Sequence, residues 1–281
     1  VMRCRRPGYL RPMIDLVKGP RPAAARDTLV ILDELSQLRM LDLVRNDRQY
    51  LTEQLRADPA FAVCDVSGRL VMVHLTAKGE MSARLEKARR AGDTMATRLN
   101  ATKREEAQLI SLQDNGALTL ALAEGTVLGS YGFRKYKTDT KGAPTLEKIT
   151  VIAKEVSADQ VEELADLCEG VFTARDLVNE PVSFLNAKQL AAEIRTLSKN
   201  AGFKVEVLNK EKIQTLGMGG LIAVNKGSLD EPTFSILEWK PKNAVNKKPL
   251  LLVGKGVVYD TGGLSLKPTA NSMDQMKCDM A

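Results

Sequence analysis

Two spacings of apolar residues alternate along this chain. Short aliphatic runs at residues 28–32, 61–66, 69–76, 107–112, 149–153, 205–208 and 234–239 fit strands. Between them apolar residues recur every three or four positions, which fits amphipathic helices. The helical spacing predicts helices over 81–99 and 117–128, another through Val161, Leu164, Cys168, Val171 and Phe172, and one through Leu190, Ile194 and Leu197. A further helical pattern through Leu35, Leu38, Leu41 and Leu55 is expected to end at Asp58-Pro59. Local signals support these elements. Ser67-Gly68 fits a tight hairpin turn, Ser157 and Gln160 form a capping box, Asn186 and Gln189 open a helix, and Asn200 with Gly202 closes it.

Strands that alternate with helices imply an α/β fold, with parallel strands joined by right-handed crossovers. The expected architecture is an N-terminal α/β accessory domain followed by an α/β catalytic domain with a mixed, largely parallel sheet. Residues 1–26, with Pro7, Pro12, Pro20, Pro22 and several arginines, read as a poorly ordered lead-in. Residues 27–148 form the first domain and a polar linker around Lys141-Gly142 and Pro144, and residues 149–281 belong to the second.

Composition narrows the chemistry. No apolar run approaches the roughly 20 residues that cross a bilayer, so no membrane partner is expected. His74 is the single histidine, which removes HExxH metalloproteases and leaves little room for Cys-His or Ser-His-Asp hydrolysis. Its aliphatic neighbours mark it as a packed strand residue. Cys4, Cys64, Cys168 and Cys278 form no CxxC pair, which fits a reducing cytoplasm better than a disulfide framework. The net charge of +6 raises nucleic-acid binding as a possibility. The basic clusters, Arg3, Arg5, Arg6 and Arg11, then Lys240, Lys242, Lys247 and Lys248, lack interleaved aromatics and read as solvated surface.

The densest chemistry lies in residues 249–281, PLLLVGKGVVYDTGGLSLKPTANSMDQMKCDMA. Its aliphatic runs at 250–253 and 257–259 read as strands buried on both faces, which would put Lys255 and Asp260 at strand ends. Carboxylates suit divalent cations, and a desolvated lysine beside cations can act as a neutral ligand. On the residues alone, a metal site and a solvated glycine-rich loop stand on equal terms. The glycines match neither a phosphate-binding loop nor a dinucleotide fingerprint. Ser265 and Lys267 merely share a face of an extended segment.

GKGVVYDTGGLSLKP followed by SMDQMKCDMA resembles the signature of the leucyl (cytosol) aminopeptidase family. Three other stretches share the likeness: residues 122–131 with Phe133 and Tyr136 to Thr138, residues 174–179, and the glycine-rich stretch 216–224. The resemblance implies that Lys255 binds one metal ion, that Asp260 bridges toward both, and that Asp279 is a further ligand. It makes Lys267 the catalytic lysine and Met276 a wall of the substrate pocket. It further implies two divalent ions, manganese or zinc, peptide substrates with a free N-terminus and a leucine-type preference, and a cytoplasmic homohexamer. The family also uses a later aspartate, glutamate and arginine, so this chain is expected to be incomplete and inactive alone. Two other classes remain open: an inactive interaction or assembly module, and a basic nucleic-acid-binding protein.

Overall fold

The computed structural model describes residues 14–76, 78–139 and 141–278, with some side chains near the end of that range left out. Six strands, β1 (Asp15–Lys18), β2 (Thr28–Leu32), β3 (Ala62–Val66), β4 (Arg69–Leu75), β5 (Glu106–Ser111) and β6 (Lys148–Ile152), form one sheet ordered β1-β6-β5-β2-β4-β3. Every neighbouring pair is parallel except the β3–β4 hairpin. The hairpin turns at Ser67 and Gly68, with φ of 53° and 84°. Positive φ at both central residues matches the right-handed twist of the flanking strands.

Residue parity on β2 explains the layers. All five of its residues are buried, as a central parallel strand requires. Leu29 and Ile31 join one core with Leu70 and Met72 of β4, and Val30 and Leu32 join another with Val71 and Val73. The first core is covered by α2 (Met81–Ala101), α3 (Gly116–Gly129) and the first half of α4 (Ala158–Asn179). The second is covered by a 3-10 helix, Leu35–Met40, and α1 (Arg45–Ala57). Each fully buried leucine or isoleucine contributes about 1.5–3 kcal/mol.

The single helical pattern expected from Leu35 to Asp58 is thus two helices. Leu41 is extended, at φ −86° and ψ 145°, and its N–H donates to the Leu38 carbonyl, closing the 3-10 turn before α1 begins. The leucine spacing survives the break because Leu38, Leu43, Leu51 and Leu55 cover the same sheet face.

Two domain boundaries differ from the sequence reading. The expected lead-in through residue 26 contains β1, whose Leu16 is 1% exposed and whose residues pair in parallel with β6. The surrounding prolines and arginines mask this short apolar segment; residues 1–13 lie outside the described residues. The expected start of the second domain at 149 falls within β6, which belongs to the first sheet. Val161, Leu164, Ala165 and Cys168 of α4 also belong to the first core. The division falls between Phe172 and Thr173, inside α4.

Helices α2 and α3 approach through glycines. A Cβ at Gly92 would strike the Leu122 carbonyl, and one at Gly125 the Arg89 carbonyl, so the backbones touch where side chains would hold them apart. His74 is a core residue, 2% exposed. Its Nδ1 lies 2.9 Å from the Ala60 carbonyl oxygen, which makes Nδ1 the donor. Nε2 has no partner among the described residues.

In the second unit, α5 (Ala187–Ala201), β7 (Lys204–Leu208), α6 (Lys210–Thr215), α7 (Gly219–Asn225), β8 (Phe234–Glu238) and α8 (Thr269–Cys278) follow in order. Asn186 caps α5 by accepting from the Gln189 N–H, and Gly202 closes it at φ 73°. β7 and β8 pair antiparallel in a two-stranded sheet. The strands expected at 250–253 and 257–259 do not form. Leu251 is 82% and Val253 98% exposed. An aliphatic run becomes a buried strand only where neighbours bond its backbone and layers cover its faces, and the described residues supply neither here.

Candidate metal and substrate site

Between β8 and α8 the chain lacks helix and strand, and its geometry is set by a turn at Asp260-Thr261-Gly262-Gly263. Gly262 and Gly263 take φ of 87° and 72°, a left-handed backbone that side chains strain. A Cβ at Gly262 would come within 2.6 Å of the Ser265 carbonyl, so this turn is closed by glycine as well as shaped by it. The Gly262 N–H donates to Asp260 Oδ1 at 3.1 Å, and the Lys267 N–H donates to the Thr261 carbonyl at 2.9 Å. The reversal brings Lys267 Nζ within 2.7 Å of Asp260 Oδ1.

Both side chains of this pair are about one-third exposed. The hydrogen bond from Lys267 holds the Asp260 carboxyl below the ordinary carboxylate range, helped by the Gly262 amide and more weakly by the charge of Lys255. Lys267 also lines a shallow depression of about 200 Å³ with Tyr259, Thr261, Leu266, Thr269 and Ser272. Met276 sits on α8 and is 9% exposed. Asp279 lies outside the described residues.

Of the residues singled out in the sequence, Asp260 and Lys267 are therefore in contact and Lys255 acts on Asp260 through its charge. The roles of the Thr261 carbonyl and the Gly262 amide carry no signal in residue type, because any residue supplies a backbone group. The paired glycines are the one sequence feature that marks such a turn.

Asp260 offers the hard oxygen that divalent cations prefer. Among the described residues, however, no group of three or more His, Cys, Asp and Glu side chains converges. Zinc and manganese commonly take four or more donors each. The described residues alone do not hold two such ions, and Asp260 Oδ1 already faces an ammonium.

Residues 172–281 match the profile of the cytosol aminopeptidase family, catalytic domain. A probable cytosol aminopeptidase of Chlorobaculum tepidum is 35% identical over 250 residues, covering 76% of this chain and 49% of that protein. One of Brucella melitensis is 45% identical over 165 residues, covering 57% of this chain and 33% of that protein. Among solved structures, a mutant tomato leucine aminopeptidase superposes with a TM-score of 0.69 at 19% identity, over 96% of this chain and 59% of that one. A bottromycin maturation enzyme in complex with Mn superposes with a TM-score of 0.66 at 26% identity, over 87% of this chain and 51% of that one. The chain spans about half the length of the curated relatives it matches. Through residues 172–281, which carry the Asp260–Lys267 turn, the chain belongs to the cytosol aminopeptidase family.

Proposed function

We propose that this chain contributes the N-terminal domain and part of the active site of a metal-dependent aminopeptidase, which releases N-terminal residues, leucine among the preferred ones, from peptides. The observation that carries the reading is the contact of Asp260 with Lys267, at 2.7 Å, inside the stretch that matches the family's catalytic domain. Two divalent ions, manganese or zinc, are the proposed cofactors; the Mn complex of the bottromycin maturation enzyme supports the choice of a divalent metal. Lys255, Asp260 and Asp279 are the proposed ligands, with further donors required beyond them. When bound, such ions polarise a carbonyl and lower the pKa of water.

The chain's own residues supply position and charge. Lys267, on a backbone fixed by the Thr261 carbonyl, presents an ammonium to the oxyanion that develops as the peptide carbonyl is attacked. Met276 forms an apolar wall for the N-terminal side chain. The proposed setting is a cytoplasmic homohexamer. No helix among the described residues is long and apolar enough to cross a membrane.

The 281-residue chain alone is expected to show little turnover, because three side-chain ligands leave most of two coordination shells to water. Joining it to the part of the Chlorobaculum tepidum relative that follows the matched region should restore activity. In that chimera Asp260→Ala should lose metal, and Lys267→Ala should keep metal while turnover falls by about 100-fold or more. Elemental analysis alongside kinetics reads both outcomes. Metal loss in Lys267→Ala with full occupancy in Asp260→Ala would reverse the assigned roles.

A further inference from the structure

The geometry points to Gly262 as the positioning residue for Lys267: the lack of a side chain there sets where the lysine stem runs, and so where its ammonium lies. The bearing of this on turnover rests on the reading of Lys267 as the lysine that acts on substrate.

Gly254, Gly256, Gly262 and Gly263 share one stretch of sequence but not one role. A Cβ on Gly254, Gly256 or Gly263 would meet nothing within 4 Å among the described residues. One on Gly262 would lie 2.6 Å from the Ser265 carbonyl oxygen, 3.0 Å from Lys267 Cγ and 3.2 Å from the Lys267 backbone nitrogen. Two of these three atoms are backbone. The Lys267 N–H is tied to the Thr261 carbonyl at 2.9 Å, so its nitrogen cannot retreat without opening the turn. The third atom is the second carbon of the lysine stem, which would have to leave its rotamer and carry the ammonium with it. Gly262 acts on the other partner too. Its N–H donates to Asp260 Oδ1 at 3.1 Å, the oxygen that Lys267 Nζ meets at 2.7 Å. One residue thus holds the carboxylate with its amide and makes room for the lysine with its bare Cα. Backbone strain does not distinguish it, because Gly262 and Gly263 both have positive φ, at 87° and 72°. The contact with Lys267 does.

Lysine labelling in the 281-residue chain tests the position directly. Reductive methylation read by mass spectrometry should label Lys267 about threefold faster in Gly262→Ala than in the wild type, the scale of one partly exposed ion pair. Gly263→Ala bears similar backbone strain without the contact and should label Lys267 at close to the wild-type rate. Asp260→Asn removes the partner and gives the rate of a released Lys267. Lys188, paired with Glu231 at 2.8 Å in the same unit, is the internal reference and should not change. An unchanged rate in Gly262→Ala, an equal rise in Gly263→Ala, or a rise shared by Lys188 would overturn the assignment. So would a wild-type rate in Asp260→Asn, since the contact would then hold nothing in place. In the chimera, Gly262→Ala should lower kcat by about 10-fold or more with KM little changed, because a small misplacement of an acting group is costly. Added to Lys267→Ala it should lower kcat no further, since it acts only through that lysine. Additive losses would overturn the positioning role. Full turnover in Lys267→Ala would instead overturn the reading of Lys267, and with it any bearing of Gly262 on turnover, whatever the labelling shows.

Discussion

Asp260 and Lys267 lie in one contiguous phrase, so both were legible from the sequence; their contact was not. It depends on two left-handed glycines and two backbone hydrogen bonds, and side-chain identity reports neither. His74 shows the opposite case. Its aliphatic neighbours marked it as packed, and it is buried with Nδ1 bonded to Ala60 and Nε2 unpartnered among the described residues. Burial pushes its pKa below the ordinary value of 6.5, against smaller opposing effects from the Ala60 carbonyl and Asp58. Below pH 6.5 the unfolded chain therefore binds a proton that the folded one refuses. The stability this histidine contributes is complete above that pH, falls as pH drops through it, and levels off once the folded state also protonates. Thermal melts should show the wild type losing stability relative to His74→Leu between about pH 6.5 and 5, with a slope no steeper than about 1.4 kcal/mol per pH unit. A difference between the two that does not change with pH would refute the assignment.

Helix caps and the β3–β4 turn were readable because each is decided within four residues, as in the Ser157–Gln160 pair, whose backbone and side-chain groups exchange bonds of 2.9 and 3.1 Å. Contacts between elements were less legible. Glycine in a helix reads as a weakness, yet Gly125 of α3 lies against the Arg89 carbonyl of α2, where a methyl group has no room. Gly125→Ala should cost about 1–3 kcal/mol in chemical denaturation. Gly170→Ala, on α4 with nothing within 4 Å of the added carbon, should instead stabilise by about 0.5–1 kcal/mol. Destabilisation of equal size at both sites would show that packing of α2 on α3 is not the cause. The run Leu250 to Val253 marks the limit of pattern reading: aliphatic content is necessary for a buried strand, but β2 has bonded neighbours on both sides and this run has no strand pairing among the described residues.

For the molecule as a whole, strand and helix spacing sufficed for the α/β class and most elements, but not for the domain boundary. β6 carries the same aliphatic signature whichever sheet it joins, and only pairing assigns it to the first. The family was legible because its signature is local, whereas the proposed metal site needs more donors than the described residues bring together. The Chlorobaculum tepidum relative is about twice the length of the region it shares with this chain, so catalysis is best tested in the chimera with it. The decisive measurement compares its hydrolysis of leucyl amide with that of N-acetyl-leucyl amide, each with saturating manganese and again after chelation. The account predicts turnover of the unblocked substrate alone, abolished by the chelator, because the free amine must reach a metal ion. Equal rates on both substrates, or turnover that persists in chelator, would contradict it.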